Sequence, residues 1–176
     1  IRSCLVGSEM CIRDSEAELA RYADRPLKIG TFSAASNVTG ILTDVESLAR
    51  TLHAGGAYAF FDYAAAGPYV PIDMHPSDPD ACIDALFLST HKFVGGPASS
   101  GVLVANRRLF RGRVPAHPGG GTVDYVAGAS HDAIDYTEHL HEREEAGPPR
   151  SSRICARGRP SWSRRWSGRS ASATTR

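Results

Sequence analysis

A small set of side chains in this sequence could do chemistry together. Ser89, His91 and Lys92 stand in the stretch LFLSTHKFVGGP, Leu86 to Pro97, after a short apolar run and before a glycine pair and a proline. Such a run reads as a buried strand with the polar cluster at its carboxyl end. Asp62 follows a second apolar run, Ala57 to Phe61, and Asn37 sits in the polar loop AASNVTG after a third. Open α/β sheets bind ligands in the crevice beyond the strand ends, and parallel strands present those ends on one rim. An amine, a carboxylate and neutral donors on one rim suit pyridoxal phosphate. Lys92 would form a Schiff base with the aldehyde, and Asp62 would keep the pyridine nitrogen protonated, which makes the ring an electron sink. Hydroxyl and imidazole groups can hold the phosphate, and an amide can reach the ring hydroxyl. Taken singly, each residue has a plainer reading: Asp62 and Asn37 as turn residues, Ser89 as a backbone partner, His91 as a satisfied histidine, Lys92 as a solvated amine. The ordered set is what outweighs these.

The elements that must position the set follow from periodicity. Leu27 to Ser33 alternates and is bounded by Pro26 and small residues, which predicts a strand. Val45, Leu48, Ala49 and Leu52 fall at i, i+3, i+4 and i+7, one apolar helix face. Thr43-Asp44-Val45-Glu46 predicts a capping box at its start, and Gly55 and Gly56 stop it. Ala57 to Phe61 is the next strand, Ala81 to Ala85 a brief helical turn, Leu86 to Ser89 a third strand and Gly101 to Ala105 a fourth. Upstream, Glu16 to Tyr22 is a short helix with Leu19 and Tyr22 on one face, ended by Pro26. The first strand, helix and second strand predict a right-handed βαβ unit. The long insert before Leu86 permits a second parallel crossover, while the pair joined by GGPASS could be antiparallel. The expected class is therefore α/β: a partial, mostly parallel sheet with flanking helices.

Composition sets the limits. The chain has 176 residues and a net charge of +1, a balance that hides unlike parts. Residues 16–147 carry 10 Lys+Arg against 17 Asp+Glu, whereas 148–176 carry 8 Arg and no acid. That last segment has no hydrophobic period and cannot bury a core, so it reads as a disordered tail. A frameshifted translation explains its sudden Arg/Ser/Pro/Gly bias better than a real nucleic-acid-binding tail, which is the alternative. Residues 1–15 contain LVGSEMCIRDS, which resembles translated sequencing adapter, and are set apart from the fold. The domain is thus expected over 16–147. Arg107 to Arg113 is read as a basic connector on a solvated face. No run of about 18 apolar residues exists to span a membrane, and no signal peptide is visible, so a cytoplasmic protein is expected. Cys4, Cys11, Cys82 and Cys155 lack CxxC spacing, and His139 and His141 lack a third ligand, so no metal is expected. Gly119 to Gly121 matches a phosphate loop only loosely, without the Lys-Ser/Thr of a P-loop.

The same residues resemble a family. Class V aminotransferases of fold type I, which include the cysteine desulfurases, carry an S-x-H-K-x-x-G-P motif. Here it stands as Ser89-Thr90-His91-Lys92-Phe93-Val94-Gly95-Gly96-Pro97, with one extra residue before the proline. Their S-N-x-x-G loop stands as Ser36-Asn37-Val38-Thr39-Gly40, and their aspartate after an apolar strand as Asp62. The resemblance implies pyridoxal phosphate as cofactor, with Lys92 as the Schiff-base lysine and a shuttle for the substrate α-proton. It also implies Asp62 on the pyridinium, Asn37 on the 3-hydroxyl, and Ser89 and His91 on the phosphate. It implies the second half of the large cofactor domain, an amino-acid substrate, and a homodimer in the full-length parent. There are departures. The desulfurases usually have a glutamine where Ala65 stands, which favours a differently specialised branch. Arg143-Glu144-Glu145-Ala146-Gly147 matches an R-x-E-A-G-T-P motif whose threonine reaches the neighbouring subunit's phosphate, but Pro148 replaces that threonine. As a fragment, the chain is expected to be inactive alone, with transamination, desulfuration and epimerisation all open for the parent.

Overall fold

The structure is a computed structural model, and it describes residues 8–97, 99–128 and 134–145, with side chains described from Ile12 onward. Residues 148–176 lie outside that set. The described residues fall into two compact units, divided after Arg111.

In the first unit, β1 (Ile29–Ser33), β2 (Tyr58–Asp62), β3 (Ala85–Leu88) and β4 (Val102–Ala105) form a sheet in the order β1-β2-β3-β4. β1 pairs parallel with β2, and β2 with β3, whereas β4 runs antiparallel to β3. The antiparallel return follows not from the number of residues, since 89–101 would suffice for a crossover, but from the path of the link, whose 3-10 turn at Thr90–Lys92 and loop fold back beside β3.

β2 alternates as a sheet strand must, with Ala59 and Phe61 completely buried. Against that face packs α2 (Val45–Ala54), whose buried residues are Leu48, Ala49 and Leu52, the predicted stripe. Its start differs from expectation by one residue. Asp44, not Thr43, is the N-cap: its carboxylate accepts from Ser47 N at 3.1 Å and from Ser47 Oγ at 2.8 Å. A carboxylate accepts two donors where a threonine hydroxyl would serve one amide. Thr43 Oγ1 instead donates to Ser33 O at 2.7 Å, and Glu46 pairs with Arg50 one turn on. The expected capping box is therefore replaced by an Asp44–Ser47 cap.

Other boundaries also move. The helical turn expected at Ala81 to Ala85 is a 3-10 turn at Pro79–Ala81, because Asp78 caps it by accepting from Asp80 N, and Ala85 already belongs to β3. The upstream helix α1 runs Ser8–Arg21 rather than from Glu16, and both Ile12 and Leu19 pack against the core.

The second unit holds a hairpin that the sequence reading did not separate from loop. β5 (Val123–Val126) and β6 (Ile134–Tyr136) pair antiparallel, and α3 (Leu140–Glu144) follows. Thr122 is fully buried at the base of β5 and its hydroxyl donates to Gly119 O at 2.7 Å.

Candidate active site

The parallel register brings three loops to one rim. Ser33 lies beside Asp62, and Asp62 beside Phe87, so the residues that follow β1, β2 and β3 leave the sheet at the same level. Ala34 N donates to Asp62 O and Tyr63 N to Phe87 O, both at 2.9 Å, which extends the parallel ladder into those loops. The rim therefore carries Asn37 after β1, Asp62 at the end of β2, and Ser89, His91 and Lys92 after β3.

Asp62 closes a short turn, its Oδ1 accepting from Ala64 N at 2.7 Å. The plainer reading of this residue is thus part of its role: the turn fixes the carboxylate and leaves Oδ2 without a partner among the described residues. Tyr63, next in the chain, is buried, and burial pushes its phenol above the usual range. Asn37 lies exposed in a turn built by Ser36, whose Oγ accepts from Val38 N and Thr39 N at 3.3 and 3.1 Å. The Ser36 hydroxyl thus takes up the turn's amides, and the Asn37 amide stays open to the rim.

Ser89, His91 and Lys92 occupy a 3-10 turn rather than a plain strand end. Lys92 N donates to Ser89 O at 2.9 Å, and the Ser89 hydroxyl makes no capping bond. His91 and Lys92 are exposed and Ser89 is half-buried. Thr90, which the sequence reading gave no role, is half-buried and bonded across the loop. Its Oγ1 donates to Ser100 O and lies 2.9 Å from Ser99 Oγ. Gly96 is required by close approach, since a Cβ there would fall 2.0 Å from Thr90 O.

Sequence reasoning missed a second polar cluster at the opposite end of the sheet. Asp84, fully buried just before β3, accepts from Ala59 N at 2.9 Å, from His53 Nε2 at 2.9 Å, and from the Arg108 guanidinium. Burial raises the Asp84 pKa, but the Ala59 amide, His53 and Arg108 together outweigh it and hold the carboxyl below its ordinary value. His53 Nδ1 faces Asp80 O at 2.7 Å. Both ring nitrogens therefore face oxygen atoms of the protein. Arg108 belongs to this network, which corrects the expectation of a merely solvated basic connector at 107–113. Cys82 joins His53 and Asp84 within 4.8 Å. A cation there would have to sit beside the Arg108 charge and break the bonds that already engage both Asp84 oxygens, so the cluster is a closed structural hub. The one signal in the sequence is an aspartate embedded in the buried run Ile83 to Leu86. His139 and His141, exposed in the second unit, have ring centroids 6.2 Å apart.

A mostly parallel sheet with packed helices defines the class of open α/β proteins, whose ligand sites lie beyond the carboxyl ends of the strands. The family model for aminotransferase class-V matches residues 13–158, and the chain belongs to that family of pyridoxal-phosphate enzymes. It is 31% identical over 131 residues to a probable cysteine desulfurase of Mycobacterium leprae, covering 74% of this chain and 29% of that protein. A probable cysteine desulfurase of Aeropyrum pernix is 34% identical over 116 residues, covering 65% and 27%. The apo cysteine desulfurase structure from Thermococcus onnurineus superposes with a TM-score of 0.63 at 29% identity, covering 79% of this chain and 32% of that one. The chain thus spans less than a third of the length of these relatives. Among the described residues no helix is long and apolar enough to cross a membrane.

The donor set fits the family's cofactor. An amine, a carboxylate oxygen and an amide, none of them occupied by another described side chain, stand on three adjacent loops of one rim. They match in kind a carbonyl, a basic ring nitrogen and a ring hydroxyl.

Proposed function

We propose that this chain is the cofactor-anchoring part of a pyridoxal-phosphate enzyme that acts on an amino acid, with a cysteine-desulfurase-like transferase or lyase as the parent. The observation that supports it is the placement of Asn37, Asp62 and the Ser89–Lys92 turn on adjacent carboxyl ends of β1, β2 and β3, in the family's own order and spacing.

In this reading Lys92 Nζ is the amine that anchors the cofactor, and the same nitrogen takes the proton from the substrate α-carbon. Asp62 Oδ2 holds a proton on the ring nitrogen, its orientation set by the Ala64 turn. The Asn37 amide donates to the ring hydroxyl. Ser89 Oγ and the His91 ring, neighbours on one 3-10 turn, hold the phosphate. When bound, the cofactor supplies an electron sink for the charge that develops at the substrate α-carbon.

The 176-residue chain alone is expected to turn over no amino acid, since it spans 29% of a curated relative and has Pro148 where the family's phosphate-reaching threonine stands. The test is turnover by the full-length protein, which we take to be a cytoplasmic homodimer. Sulfide release from cysteine, with no keto acid from other amino acids, identifies a desulfurase. Keto-acid formation identifies an aminotransferase. Absence of both, and of racemised amino acid, from the cofactor-loaded protein would contradict the reading.

A further inference from the structure

We propose that Thr90, with Ser99, is the positioning element that holds the Lys92 turn in its reactive geometry, an inference that rests on the cofactor role given to Lys92. Thr90 lies between two residues assigned to the rim, yet its own side chain is spent on bonds within the loop. Its hydroxyl donates to Ser100 O across the loop and meets Ser99 Oγ at 2.9 Å. Ser99 Oγ also lies 2.6 Å from Gly96 O, and its single proton serves one of these two acceptors at a time.

The backbone of the same turn is bonded in series. Lys92 N donates to Ser89 O, Phe93 N to Thr90 O, Gly96 N to Phe93 O and Ser99 N to Gly96 O, at 2.9 to 3.1 Å. The two hydroxyls tie the start of this series to its end. They close the loop on itself, so that the Lys92 turn is held by Ser99 and Ser100 as well as by its own backbone. A lysine must be held within a fraction of an ångström of a productive position to act as an anchoring amine. Both hydroxyls are engaged with groups of the loop itself, so the pair acts through Lys92 and not on the ligand.

The chain supplies its own control. Its lysines are Lys92 at the carboxyl rim and Lys28, just before β1 at the other end of the sheet. The chain is treated with substoichiometric pyridoxal phosphate, reduced with borohydride, digested, and the label at each lysine is measured by mass spectrometry. The wild type is expected to label Lys92 in preference to Lys28. Thr90→Val, which keeps shape and loses the hydroxyl, should lower the Lys92-to-Lys28 ratio by about fivefold, the worth of a hydrogen bond of ordinary strength. Thr90→Ser should keep the wild-type ratio, and Ser99→Ala should fall between. Melting temperatures of all variants are compared, because a merely structural residue would shift melting and leave the ratio unchanged. A wild-type preference that survives in Thr90→Val overturns this inference alone. A wild type with no preference for Lys92 overturns the cofactor reading, and this inference with it. If Thr90→Val fails to fold, an unchanged ratio in Ser99→Ala overturns the inference.

Discussion

Asp84 is the residue on which the first unit most depends. It is completely buried, and three donors from β2, α2 and the segment after β4 converge on its two oxygens. Removing one partner of a buried pair leaves the others uncompensated. Asp84→Ala is expected to cost about 3 kcal/mol, measured by chemical denaturation. Since the folded-state pKa of Asp84 is lowered, its contribution is complete above the ordinary carboxylate range. It drains away as pH falls through about 4 toward the lower folded value. The wild type should therefore lose melting temperature on acidification more steeply than Asp84→Asn, which cannot titrate there; parallel slopes would contradict this account. Beyond an aspartate set in an apolar run, none of it could be read in the sequence. His53 and Arg108 lie 31 and 24 positions from Asp84, with no motif linking them, and only the sheet order brings them together.

At the scale of elements, the packing of α2 on the sheet is tight at Gly30. A Cβ on Gly30 would come within 2.3 Å of Leu52 Cδ2, and Leu52 is itself only 2% exposed and has little room to withdraw. Gly30→Ala should cost about 1–3 kcal/mol through overpacking. Leu52→Ala should cost about 2–5 kcal/mol through the cavity it leaves. The double variant should cost less than the sum, since the new methyl partly fills that cavity, and strict additivity in a double-mutant cycle would show that the two do not share a contact. The helix face and the strands were legible beforehand because each rests on a local period. The cap was not. Thr43 and Asp44 are both good N-caps by type, and the choice was made by Ser33 O, which takes the Thr43 hydroxyl from ten residues away. The β5–β6 pair was missed because VDYV and IDY, though they alternate, are four and three residues long, too short for a period to register.

For the whole molecule, the strongest sequence signal was also the most chemical one. Three motifs separated by long stretches of chain, Asn37, Asp62 and Ser89–Lys92, become neighbours because parallel pairing repeats strand ends at one level. That gathering follows from parallel pairing, and it was legible as soon as three strands ending in polar residues were seen. What the motifs could not show was the internal wiring of each loop: the Asp62 turn onto Ala64, the Ser36 turn beneath Asn37, and the Thr90–Ser99 clasp under Lys92. These bonds decide which atoms remain open to a ligand, and they depend on backbone geometry that residue types alone do not specify.

The central claim is that this rim binds pyridoxal phosphate through Lys92. Its most direct test is a titration of the chain with stoichiometric pyridoxal phosphate, followed by visible absorbance, for the wild type, Lys92→Ala and Lys28→Ala. The account predicts that the band of lysine-bound cofactor develops in the wild type and in Lys28→Ala and is absent in Lys92→Ala. A band that persists in Lys92→Ala, or that disappears only in Lys28→Ala, would contradict it.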